Sequence, residues 1–174
     1  MTDREGGMAE RLDPDTALAP RPVSASRVVM SRVMQPTDAN IMGKVHGGVI
    51  MRLMDEAAGT AAARHCRRPV VTAAIDSLSF LSPVSIGHLV TVRASVNDTG
   101  RTSMEVGVRV EAEDVLTGEV THTSSGYLVF VALGDDGRPV PVPPVLPETE
   151  EDRRRQREAR ERRARRLAAR SRTP

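Results

Sequence analysis

Residues 47–66, GGVIMRLMDEAAGTAAARHC, constrain the fold more than any other stretch. Ile50, Leu53, Met54, Ala57, Ala58 and Ala61 recur at the spacing of one helical stripe. Val49, Met51, Ala62 and Ala63 widen the apolar surface beyond it. The segment predicts a helix of about 30 Å. Burying a large apolar side chain contributes roughly 1.5–3 kcal/mol, so a sheet touching one face would leave too much in water. A curved sheet has to wrap this helix, with a second subunit covering what remains.

The strands for such a sheet are present. Residues 101–113 alternate cleanly: Thr102, Met104, Val106, Val108, Val110 and Ala112 against Arg101, Ser103, Glu105, Gly107, Arg109, Glu111 and Glu113. This period of two predicts a strand with one wet face. Further strands are predicted over 23–34, 69–81, 89–97 and 120–132. Turns at Asn97–Gly100 and Leu116–Gly118 join the last three strands into an antiparallel meander. The fold class expected is α+β, one long central helix wrapped by a curved antiparallel sheet of about five strands.

That domain occupies 23–137. Residues 1–22 are polar, without periodicity, and read as a disordered tail. Residues 138–147, RPVPVPPVLP, hold five prolines and read as an extended segment leaving the sheet. Residues 148–174 form an Arg-rich tail able to become helical, with little to hold it to a core. This tail carries eleven of the 25 Lys and Arg and six of the 23 Asp and Glu. The basic charge therefore belongs to the tail, and the domain itself is mildly acidic.

Composition removes several functions. There is no Trp, one Tyr and two Phe, too few rings for a base-stacking surface, and no nucleic-acid partner is expected. The single cysteine, Cys66, permits neither an internal disulfide nor a cysteine-based zinc site. His46, His65, His88 and His122 lack ligand spacing, so no metal is expected. No phosphate-binding glycine fingerprint is present. No apolar run is long enough to span a membrane and the N-terminus does not resemble a secretory signal. A cytoplasmic location follows as the expectation.

One segment suggests chemistry: Asp38-Ala-Asn40, then Gly47-Gly48, then Asp55 two turns into the apolar helix. The helical neighbours Met51, Ala58 and Gly59 offer Asp55 no partner; Arg52 alone is near enough to reach it. Asp55 and Glu56 mark either a narrow solvated face or a half-buried carboxylate at a subunit seam. In the second case partial loss of water strengthens Asp55 as a base. Gly47 and Gly48, at a helix start, leave backbone N–H groups facing outward and admit a carbonyl closely, as an oxyanion hole does; a plain loop-to-helix junction also uses such glycines. Asn40 suits a turn, or an amide that holds a water or a carbonyl.

Taken together, DANIMGKVHGGVIMRLMDEAA (38–58), VVTAAIDSLSFLSPVSIGHLV (70–90), GRTSMEVGVRVEAED (100–114) and YLVFVAL (127–133) resemble the hotdog-fold acyl-CoA thioesterases, specifically the YciA and brain-type acyl-CoA hydrolase group. The resemblance spans 27–142. It implies hydrolysis of acyl-CoA to free fatty acid and CoA, with no cofactor beyond the CoA of the substrate. It implies Asp55 as general base or nucleophile, Asn40 as the group positioning water or the thioester carbonyl, and Gly47 and Gly48 as oxyanion donors. It places Arg101, Thr102 and Ser103 near the nucleotide or pantetheine part of CoA. It also implies a site shared between two domains, with Asn40 of one chain facing Asp55 of another. The chain is then a homodimer at minimum, and hexamers built as trimers of dimers are common in the group. The alternative is an acyl-CoA-binding sensor of the same fold that does not turn its ligand over.

Overall fold

A computed structural model of the chain describes residues 18–170. The first seventeen residues, and with them most of the tail expected over 1–22, lie outside the described residues, as do 171–174. Within those limits the chain runs β1 (Arg21–Pro22), β2 (Val28–Val33), α1 (Gly47–Cys66), β3 (Val70–Phe80), β4 (Leu89–Thr99), β5 (Ser103–Glu113), β6 (Val120–Ala132), β7 (Val145–Leu146) and α2 (Glu150–Arg170).

The main sheet has five strands in the order β2-β4-β5-β6-β3, every neighbour antiparallel. The expected meander is β4-β5-β6. Even-numbered residues of β5, from Met104 to Ala112, face inward and are buried with Val90, Val92, Leu128 and Phe130 against α1. Ile50, Leu53, Met54, Ala57, Ala58, Ala61 and Ala62 make up the buried stripe of α1. The four alanines are 0% exposed, so helix and sheet are separated there by little more than methyl groups. Gly59 adds to this closeness, since a Cβ on it would lie 3.4 Å from the Phe130 ring. The back of α1 is less apolar than its composition suggests. Arg52, Glu56, Thr60 and Arg64 are exposed, and Arg52 pairs with Glu56 at 3.8 Å rather than with Asp55.

Three expectations change. The strand expected over 23–34 begins as a 3-10 turn, Val23–Ser26, and becomes a strand only at Val28. The buried Ser26 hydroxyl accepts the Val96 N–H at 3.0 Å, beside the register shift between Val96 and Asp98. The end of the tail expected to be disordered over 1–22 and the end of the proline-rich segment are not free of sheet: Arg21 and Pro22 pair in parallel with Val145 and Leu146.

The largest correction concerns the C-terminal segment, which docks on the sheet instead of standing free. Thr149 and Asp152 cap α2 reciprocally, the Thr149 N–H donating to Asp152 at 3.0 Å and the Asp152 N–H to the Thr149 hydroxyl at 3.1 Å. Asp152 and Ala159 are buried. The Arg162 guanidinium stacks 3.5 Å over the Tyr127 ring and meets Glu105 at 2.7 Å. Arg166 bridges Asp76 at 2.9 Å and Glu105 at 3.0 Å. The face of β5 that alternation marks as wet is therefore covered in part by α2, and Glu105 is only 4% exposed.

Candidate active site

The site begins in the loop between β2 and α1. Asp38 is buried there, accepting the Gln35 N–H at 2.8 Å and both contacts of Arg32 at 2.9 Å. The Gln35 N–H, with the Arg32 guanidinium, holds the Asp38 carboxyl below the usual carboxylate range against the opposing effect of its burial. The Asp38 carbonyl accepts the His46 N–H at 2.8 Å, which ties the loop to the start of α1.

Asn40 sits inside this frame. Its Oδ1 accepts the N–H groups of Met42 at 2.9 Å and Lys44 at 3.2 Å, and its own N–H donates to the Lys44 carbonyl at 2.7 Å. Gly43, at φ +70°, completes the turn. The turn role and the amide role thus coexist: the oxygen is fixed by backbone, and the Nδ2 hydrogens have no partner among the described residues.

At the helix start the two glycines differ. The Gly48 N–H is not bare, as the sequence suggests, because His46 caps α1 and its Nδ1 accepts that N–H at 2.9 Å. The Gly47 N–H remains without a partner among the described residues. The Phe80 ring lies alongside, 3.5 Å from where a Cβ on Gly47 would stand.

Asp55 is half-buried, two turns further along α1. The Thr72 hydroxyl of β3 donates to its Oδ1 at 2.7 Å, and Oδ2 accepts from no described residue. Asp55 lies about 12 Å along the axis from Gly47. One protomer therefore does not bring Asp55 together with Asn40 and Gly47. β3 runs between the two ends, with Thr72 beside Asp55 and Phe80 beside Gly47.

Arg101 and Thr102, with Gly100, form the β4–β5 turn and Ser103 opens β5, on the Asp55 side. Ser103 is in register with Val131 and Val131 with Val71, two strands across from the neighbour of Thr72. The Thr102 and Arg101 carbonyls accept the N–H groups of Ala132 at 3.1 Å and Val142 at 2.9 Å. Among the described residues no group of three His, Cys, Asp or Glu is placed to hold a metal ion, and no helix is long and apolar enough to cross a membrane.

Sequence reasoning missed Thr72 and the capping role of His46. Threonine is an ordinary strand residue, and histidine is not among the preferred N-cap residues, so neither stands out before the fold is known.

A single long helix held in a curved five-strand antiparallel sheet, with a half-buried acid on the helix and a free N–H at its start, defines a hotdog domain. The chain belongs to the thioesterase superfamily, whose family model matches residues 42–119. It is 44% identical over 127 residues to a Bacillus subtilis protein named as an uncharacterized acyl-CoA thioester hydrolase, covering 73% of this chain and 74% of that protein. Its fold is similar to that of a hexameric acyl-CoA thioesterase, with a TM-score of 0.86 and 39% identity over 90% of this chain and all of the other. It is also similar to the acyl-CoA hydrolase of Staphylococcus aureus in complex with butyryl-CoA and CoA, with a TM-score of 0.81 and 36% identity over 86% and 92% of the two chains. That enzyme has also been solved with an aspartate, an asparagine and a threonine each replaced by alanine. Along its chain those three residues stand at the same spacing as Asp55, Asn40 and Thr72 here.

Proposed function

We propose that the protein hydrolyses acyl-CoA thioesters to a free acid and CoA, at sites completed by a second copy of the chain. The observation that carries this reading is the separation of two half-sites along one exposed edge strand. β3 is eleven residues long, ends the sheet, and exposes Val71 and Ile75. A bare edge of this kind is a template for pairing. Pairing β3 with its own copy about a two-fold axis runs the strands antiparallel, so the Thr72 end of one meets the Phe80 end of the other. Asp55 of one protomer then faces Asn40 and Gly47 of its partner. Hexameric relatives are consistent with this dimer as the repeating unit.

In this arrangement the Gly47 N–H and the Asn40 Nδ2–H receive the thioester oxygen, with the N-terminal dipole of α1 behind them. Asp55 acts on the carbonyl carbon, through a water it deprotonates or directly. Either route forms a tetrahedral oxyanion that collapses by expelling the CoA thiolate. On the water route the free acid forms at once and the proton that Asp55 took passes to the thiolate; on the direct route the collapse leaves a mixed anhydride on Asp55, which a water cleaves to the free acid, its proton going to the thiolate. A thioester carbonyl is activated enough for this without a cofactor. Gly48 has no part as a donor while His46 holds its N–H. Thr72 is a positioning residue, since its hydroxyl fixes one oxygen of Asp55 and leaves the other for the reaction.

A panel of acyl-CoA esters assayed for thiol release tests the activity. Tight acyl-CoA binding without thiol release would make the protein a sensor instead. The shared site has its own test. Co-expressed Asn40→Ala and Asp55→Asn subunits, each inactive alone, should recover about a quarter of wild-type activity by random pairing into two-fold dimers. No recovery excludes a site built across two copies. For Thr72→Val we expect kcat to fall roughly fivefold to tenfold with KM little changed, and Thr72→Ser to restore it. A loss in KM alone would remove Thr72 from its positioning role.

A further inference from the structure

The groove at the start of α1 holds a group that the chemistry above leaves without a task. Val45, Gly47, Ile50, Phe80, Val84 and Ser124 surround a space of about 210 Å³. Ser124 is 1% exposed, and its Oγ has no hydrogen-bond partner. A buried hydroxyl left unpaired destabilises the fold, so each such group in a native structure calls for an explanation. Ser124 lies on β6 in register with Phe80 of β3 and Val110 of β5, and neither side chain can pair with a hydroxyl. Ser124 is one of the residues that line the groove.

The Gly47 N–H borders the same groove. An acyl chain extending from a carbonyl held there would pass between the apolar walls and meet Ser124. We infer that this groove receives the acyl chain and that Ser124 selects acyl groups bearing an oxygen substituent, hydroxyacyl or oxoacyl, over plain alkanoyl groups. The inference rests on the thioesterase reading. An oxygen on the chain completes the Ser124 hydrogen bond, as donor or acceptor, whereas an alkyl chain seals the hydroxyl off unpaired.

The test compares kcat/KM for butyryl-, 3-hydroxybutyryl- and acetoacetyl-CoA in the wild type and in Ser124→Ala. We expect at least one oxygenated ester to exceed butyryl-CoA by about tenfold or more, and the ratio to fall to about one in Ser124→Ala. A merely structural Ser124 would shift the melting temperature without moving the ratio. Equal use of all three esters by the wild type, or a preference that survives Ser124→Ala, overturns the selection. Failure to release thiol from any ester, butyryl-CoA included, would instead remove the thioesterase reading on which it stands.

Discussion

Asp55→Asn lowers the turnover of acyl-CoA thioesters by roughly a hundredfold to ten-thousandfold, the usual contribution of a positioned acid or base. Asparagine matches aspartate in shape, and its Oδ1 still accepts the Thr72 hydroxyl, which donates to Asp55 at 2.7 Å. The helix stripe that holds α1 in the sheet is untouched. Melting temperature and CoA affinity should therefore stay at their wild-type values while thiol release falls. The measurement is a steady-state thiol assay beside a thermal melt and calorimetric titration with CoA. Turnover within tenfold of the wild type would take the reaction away from Asp55. A lost melting transition would mean that the half-buried acid serves folding instead.

Glu105→Ala should be the most destabilising single change on the outer face of the sheet. Glu105 receives Arg162 at 2.7 Å and Arg166 at 3.0 Å, and its side chain is 3% exposed. The Arg162 side chain is 10% exposed, lying over Tyr127. Removing the carboxylate leaves a largely desolvated guanidinium without its hydrogen-bonded partner, facing the Tyr127 ring with Glu158 as the remaining nearby acid. Breaking a buried pair from one side costs about 3–5 kcal/mol, a drop in melting temperature on the order of 10 °C for a domain of this size. Arg166 retains Asp76, so α2 should loosen before it detaches. A double variant, Glu105→Leu with Arg162→Met, should recover much of the loss, because two apolar groups replace two stranded charges. A single variant as stable as the wild type would show that α2 contributes little to the fold.

The two halves of the molecule differ in how far their sequences betray them. The sheet and α1 are legible because the inward positions that their periodicities mark are the buried ones: every second residue of β5 from Met104 to Ala112, and the stripe of α1 from Ile50 to Ala61. Asp55 and Asn40 stand out because a carboxylate in an apolar helix and an asparagine before a glycine pair each demand a reason. The docking of α2 is not legible. Its contacts are ion pairs between residues some sixty positions apart, such as Glu105 and Arg162, and charge alternation along a helix looks the same whether it faces water or a sheet. The cap that His46 places on Gly48 depends on a side-chain rotation, which no spacing encodes. Thr72 becomes visible only once β3 is laid beside α1.

The seam of Ala57, Ala58, Ala61 and Ala62 restricts how proteins of this build can diversify. Any residue larger than alanine there must push helix and sheet apart, and overpacking of that kind typically costs about 1–3 kcal/mol. Change is tolerated more readily at the mouth of the fold, where the loop over 81–84 and the first turn of α1 border one groove. A new specificity can therefore be built at that rim without disturbing the seam behind it.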